Sequence, residues 1–173
     1  MKIVPVLLGL LALISASSTG FGLSDKLTVG PFSASFNVSN KENLTINTSE
    51  PLAHDEFIEY GFKIIAAFSK RELIDVAIDD YNNSTDVSES RLMDLITNRM
   101  ASQSYKATWS RVNISSIPGM AAKIRSPGKS SYIAAYSPDG LNDMGRTIVL
   151  IQSFATKDMT DSFLRDFQVI RAS

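Results

Sequence analysis

Apolar residues recur at every second position through much of this chain, and that period commits the backbone to sheet rather than helix. Phe32, Ala34, Phe36 and Val38 fall on one side of an extended segment, with Ser33, Ser35, Asn37 and Ser39 on the other. A strand patterned this way buries one face and wets the other, so another element must cover its apolar side. The next run repeats the logic, with Leu44 and Ile46 inward and Asn43, Thr45 and Asn47 outward. With Asn40-Lys41-Glu42 as the turn, the two runs predict an N-terminal hairpin over residues 27–48.

Pro51 and the stretch His54-Asp55-Glu56 interrupt the pattern, after which Tyr60, Phe62, Ile64, Ala66 and Phe68 alternate as a longer strand. A turn is expected at residues 69–72. Ile74, Val76 and Ile78 then predict a return strand, because β-branching favours strand even though Leu73, Ala77 and Tyr81 also fit helical spacing. Asn82-Asn83-Ser84-Thr85 reads as a polar loop. Asp86 followed by Glu89 predicts a capping box, and Leu92, Leu95, Ile96 and Met100 give the helix behind it one apolar stripe, ending near Ser102-Gln103-Ser104.

Four further strands are expected at residues 105–115, 121–125, 132–137 and 147–154, separated by turns at Pro118-Gly119, Pro127-Gly128 and Pro138-Asp139-Gly140. Ile148, Val149, Leu150 and Ile151 form a continuous apolar run, which predicts a central strand covered on both faces. Asp158 or Thr160 is the expected cap of a closing helix whose apolar face is Phe163, Leu164 and Phe167. The expected fold is α+β: an antiparallel β-sheet with a mid-chain helix and a C-terminal helix packed over it, preceded by an N-terminal β-hairpin.

Cysteine is absent, which removes disulfides, thiolate nucleophiles and Cys-based zinc sites together. Stability therefore has to come from a core, and residues 24–173 are enough for a single domain. The formal net charge is −1. Along the chain the basic residues are scattered, the densest group being Lys70-Arg71 beside Glu72, so nucleic acid is not an expected partner.

Residues 1–20 are built like a secretion signal. Lys2 supplies the positive end, residues 3–14 are apolar apart from Pro5 and Gly9, and Ser15, Ala16, Ser17, Ser18, Thr19 and Gly20 suit a signal peptidase, with cleavage expected between Ala16 and Gly22. Retention as an N-terminal anchor is the alternative. The apolar run is shorter than the roughly 20 residues of a bilayer-spanning helix, and no transmembrane segment is expected after cleavage. Six of nine asparagines lie in Asn-x-Ser/Thr triplets: Asn37, Asn43, Asn47, Asn82, Asn83 and Asn113. Chance would give about two, so these are the expected glycosylation sites of a secreted or surface-retained chain. Sequon-rich, cysteine-free export suits an archaeal cell exterior.

The order of elements resembles the PsbP-like α/β sandwich, the family of the extrinsic protein of the oxygen-evolving complex and of a small nuclear-import factor. The resemblance spans residues 57–173 and rests on Gly61-Phe62-Lys63-Ile64-Ile65, the helix at residues 90–100, Gly119-Met120-Ala121-Ala122, the strand at residues 147–154 and Ser162-Phe163-Leu164-Arg165-Asp166-Phe167. It implies a docking or assembly role and transfers no site residue. Export excludes a nuclear role, and the leading hairpin departs from the family layout.

Candidate chemistry is sparse. His54, the single histidine, stands with Asp55, Glu56 and Glu59, but zinc catalysis takes two or three imidazoles and a Ser-His-Asp triad has no Gly-x-Ser-x-Gly elbow here. Asp75, Asp79, Asp80, Asp86 and Glu89 are dense enough for calcium, yet neither their spacing nor that of Asp139-Gly140-Leu141-Asn142-Asp143 fits an EF-hand loop. Trp109, Tyr105, Tyr132 and Tyr136 read either as an aromatic platform for a sugar or peptide or as sheet packing. No catalytic residue, metal site or cofactor is therefore assigned. The expected function is a non-enzymatic binding or assembly module of the cell envelope, its partner an envelope protein or glycan. The alternative is a small extracytoplasmic hydrolase using carboxylates.

Overall fold

The computed structural model describes residues 23–38, 43–100, 106–126 and 129–172. The expected signal segment, the turns at Asn40-Lys41-Glu42 and Pro127-Gly128, the end of the first helix near Ser102 and the position of Tyr105 lie outside them. Among the described residues the chain runs β1 (Leu23–Val29), β2 (Phe32–Val38), β3 (Leu44–Thr48), β4 (Leu52–Ala53), β5 (Phe57–Ala66), β6 (Glu72–Asp86), α1 (Glu89–Met100), β7 (Lys106–Ile114), β8 (Ile117–Ser126), β9 (Lys129–Tyr136), β10 (Met144–Ser153), α2 (Lys157–Asp166) and β11 (Gln168–Arg171). The antiparallel core, its two helices and the leading hairpin are as the sequence pattern predicts.

The large sheet has the order β3-β5-β6-β10-β9-β8-β7, with β4 paired to β5; the small one has the order β1-β2-β11. β10 is central, and its apolar run divides by parity. Val149 and Ile151 enter the core shared with the small sheet and α2, while Ile148 and Leu150 enter the core beneath α1. The front core is aromatic: Phe36 stacks on Phe62 at 5.4 Å, and Phe163 stacks on Phe167 at 4.8 Å. Burying each such ring is worth about 1.5–3 kcal/mol, which lets a chain without disulfides hold two sheets together.

Several local expectations are corrected. The N-terminal hairpin joins β1 to β2 around Gly30-Pro31, whereas the Leu44–Thr48 strand pairs with β5 in the other sheet. Gly30 adopts φ +57°, and a Cβ there would meet the Tyr60 ring at 2.2 Å, so the turn and the inter-sheet packing both require glycine. Phe68 does not continue the inward row of β5. The strand ends at Ala66, and Phe68 lies in the following turn, 83% exposed.

Residues 82–85 belong to β6, not to a loop. Asp80 lies opposite Thr147 and Thr85 opposite Gly145, so residues 81–84 bulge across from Arg146 alone. At the bulge the Arg146 side chain donates to the Tyr81 carbonyl from Nε and Nη2, each at 3.2 Å.

Both helix caps differ from expectation. Ser88, not Asp86, caps α1: its Oγ accepts from Arg91 N at 3.3 Å, while Asp86 accepts from Ser88 N at 3.1 Å one step further out. Glu89 pairs with Arg111 instead of closing a capping box. Thr156 caps α2, accepting from Met159 N. Pro118-Gly119 sits inside β8; the turn is Ser115-Ser116, with φ +48° and +73°, a two-residue type I′ hairpin. β11 is an element the sequence reading lacks, and its pairing with β2 converts the hairpin into a sheet.

Candidate functional site

The α1 side of the large sheet holds a cluster of charges, of which Asp79 alone is buried. Register places Glu59 opposite Asp79 and Lys63 opposite Asp75, and parity turns all four toward the helix. The helix lays Leu92, Ile96 and Met100 on the sheet and extends Arg99 to Glu59 at 3.5 Å and Asp75 at 3.4 Å. Lys63 bonds Glu72 at 2.7 Å.

Asp79 is 4% exposed, and its Oδ1 has no hydrogen-bond partner among the described residues. Burial, then the charge of Glu59, push its pKa up to about 7, with Arg99 and Arg91 pulling the other way. The same burial, with the Asp79 charge, raises the pKa of the neighbouring Tyr81 hydroxyl. Asp79 can therefore gain and lose a proton near neutrality. It has no open approach for a substrate, since α1 and the sheet enclose it.

The other acidic groups disperse. His54 stacks on Phe57 at 4.3 Å at the exposed β4–β5 turn with Asp55 and Glu56, while Glu59 lies beneath α1. Asp80 points to the opposite face from Asp79 and pairs with Arg171; Glu89 pairs with Arg111 at 2.8 Å. Asp139 Oδ2 accepts from Arg146 N at 2.7 Å and Thr147 N at 3.1 Å, which makes it the clamp of a turn. Among the described residues no three His, Asp or Glu side chains converge to hold a metal ion. Trp109 packs on the α1 side, whereas Tyr132 and the fully buried Tyr136 belong to the front core, so these three do not form one platform.

Asn37, Asn43, Asn47, Asn82, Asn83 and Asn113 are all exposed. Asn37 lies in β2, Asn43 just before β3, Asn47 in β3, Asn82 and Asn83 in the β6 bulge and Asn113 at the end of β7. Asn82 Nδ2 donates to the Asp55 carbonyl at 3.4 Å.

Two shallow grooves open on the front of the molecule, each about 410 Å³. One lies between β11 and the 138–147 segment, and its cations are already engaged. Arg146 holds the Tyr81 carbonyl, and Arg171 pairs with Asp80 while lying 4.9 Å over the Phe32 ring. The other lies between α2 and the β7–β8 hairpin, lined by Val112, Ser116, Tyr132, Asp161, Leu164 and Arg165 among others.

Beyond this second groove no described residue covers the front face of β7, β8 and β9 around residues 106–110, 123–125 and 130. Lys106 lies directly opposite Arg125, and Thr108 opposite Lys123; all four side chains are exposed. Lys106 lies 17 and 19 positions before Lys123 and Arg125, so only strand parity together with pairing register could have revealed the cluster. Comparison with known proteins finds no matching family model, no matching curated protein and no matching solved structure.

Proposed function

We propose that this chain is an extracytoplasmic, N-glycosylated, non-enzymatic binding or assembly module of the cell envelope. The observation that carries the reading is the exposure of all six sequon asparagines, spread from β2 to β7. A glycan is carried only where the side chain faces water, and each of these positions meets that requirement. The PsbP-like order of elements, whose family members dock or assemble with other proteins, points the same way. The hydrolase alternative needs carboxylates converging on an open cleft, and the pair nearest to that description, Glu59 and Asp79, lies against α1 with Asp79 almost wholly enclosed.

The test is the intact mass of the protein purified from its own host, before and after glycosidase. Added hexose-containing mass on at least one sequon is expected, and an unmodified polypeptide would remove the main support. Co-purification from the envelope fraction then identifies a stoichiometric partner. Turnover of polysaccharide or peptide substrates that survives unchanged in the glycosylated protein and disappears in Glu59→Gln would favour the hydrolase instead.

A further inference from the structure

The uncovered corner of the large sheet carries a charge arrangement that folding alone does not call for. Lys106 and Arg125 are direct cross-strand neighbours, with side chains about 5 Å apart at Cβ, and Lys123 lies two residues along the same strand, about 7 Å away. Like charges placed directly opposite each other destabilise a sheet. None of the three enters an ion pair among the described residues, whereas the arginines of the other groove are all engaged. A lysine on an edge strand is an ordinary guard against strand addition, and β7 is an edge. Lys123 and Arg125, however, lie on β8, one strand in from that edge, where no such guard is needed.

The rest of the patch is hydroxylic. Thr108, Ser110 and Ser130 stand exposed on the same face between and beside the cations. Tyr132 lies opposite Lys123 and lines the groove beside α2, so the basic face and the groove are continuous. Cations fix carboxylates, hydroxyls bond ring oxygens and hydroxyl groups, and a tyrosine at a groove mouth offers a sugar an apolar face with a polar tip. The exposed large apolar side chains among the described residues are Leu52, Phe68, Met144, Phe154 and Ile170, none of which is on these three strands. A membrane-surface binder would present such side chains for insertion. Three cations with one aromatic ring also fall short of the basic stripe and stacked aromatics of a nucleic-acid groove.

We infer that the β7–β8–β9 front face, with Lys106, Lys123 and Arg125 as its anchors, binds a carboxylated acidic polysaccharide. The inference rests on the envelope-binding reading above and names its ligand class.

The test is equilibrium binding of the purified protein to polygalacturonate, with dextran as the neutral control and with phosphatidylglycerol vesicles and single-stranded DNA as competing polyanions. Binding to polygalacturonate but not dextran is expected, weakening steeply with salt as counterion release requires. In the Lys106→Ala/Lys123→Ala/Arg125→Ala protein the affinity falls about tenfold or more, because three surface charge contacts are lost together. The three side chains are exposed and two of them repel across the strands, so the melting temperature should hold or rise; Thr108→Glu, which sets a carboxylate among the cations, is the second variant and should weaken binding likewise. No binding to polygalacturonate, unchanged affinity in both variants, or tighter binding to vesicles or DNA would each overturn the inference. The glycan mass measurement is independent of this assay, so an unmodified native protein sinks the envelope reading while a failed polygalacturonate assay sinks only the ligand.

Discussion

Glu59 and Asp79 face each other across β5 and β6, two carboxyls on the α1 side of the sheet, and the one that is enclosed holds its proton up to about pH 7. Glu59 is half-buried and paired with Arg99; Asp79 has Oδ1 unpartnered. The charged and titratable groups around Asp79 are Glu59, Asp75, Tyr81, Arg91 and Arg99.

This arrangement sets a pH dependence. The folded pKa of Asp79 is raised above the 3.8 of a free aspartate, so between about pH 4 and 7 the folded protein binds a proton that the unfolded chain has released. The stabilising effect of this protonation is fully present below pH 4 and is lost as the pH rises toward 7, a loss of up to about 4 kcal/mol at 1.36 kcal/mol per unit. Asp79→Asn removes the charge and keeps the shape. Urea unfolding should show the variant more stable than the parent at pH 8 by about 2–4 kcal/mol and nearly equal to it at pH 4. A variant less stable than the parent at pH 8 would mean that the ionised carboxylate has a partner.

The start of α1 separates a cap from an ion pair. Ser88→Ala removes the side-chain acceptor for Arg91 N and should cost about 1 kcal/mol. Glu89→Ala breaks a pair whose arginine is 78% exposed, so the cost should stay within a few tenths of a kcal/mol. Chemical denaturation of the two proteins distinguishes them, and equal losses would restore the Asp86/Glu89 box.

Phe163 and Phe68 test what an aromatic ring does here. Phe163, fully buried between Phe36 and Phe167, joins α2 to the small sheet; Phe163→Ala should cost about 3–5 kcal/mol. Phe68→Ala, at a position 83% exposed, should shift stability by less than about 0.5 kcal/mol. Thermal unfolding of the pair would contradict this packing if the two shifts matched.

Ser116 holds φ +73° in the β7–β8 turn with an exposed side chain. Left-handed backbone costs a non-glycine residue about 1–2 kcal/mol, so Ser116→Gly should stabilise the protein by roughly 0.5–1 kcal/mol after glycine's larger unfolded-state entropy is subtracted. The change leaves the Asn113 sequon intact. A lower melting temperature in this variant would show that the serine is not strained.

The parts of this molecule written in local pattern were legible before any coordinates. Alternation at Phe32–Val38 and Ile74–Ile78 marked strands, the stripe at Leu92, Ile96 and Met100 marked α1, and the unbroken run from Ile148 to Ile151 marked the central strand, because burial on one face or two is an arithmetic property of residue spacing. β11 escaped because four residues carry too little period to read, and the β3 partner escaped because alternation says which side of a strand is wet but not which strand lies beside it. Turns depended on chemistry that misled: Pro118-Gly119 looks like a turn, yet glycine is needed there because Ala135 O would lie 2.4 Å from a Cβ.

From the sequence alone came the absence of cysteine, the six sequons, the expectation of export, the α+β class and most of its elements, since composition and period are carried by neighbours along the backbone. Only the tertiary structure set Glu59 against Asp79, split the acidic stretch at residues 75–89 between two faces and assembled Lys106, Lys123 and Arg125 from two strands. Pairing register decides such meetings, and register is settled by which apolar faces close on one another, a choice made between segments distant in sequence.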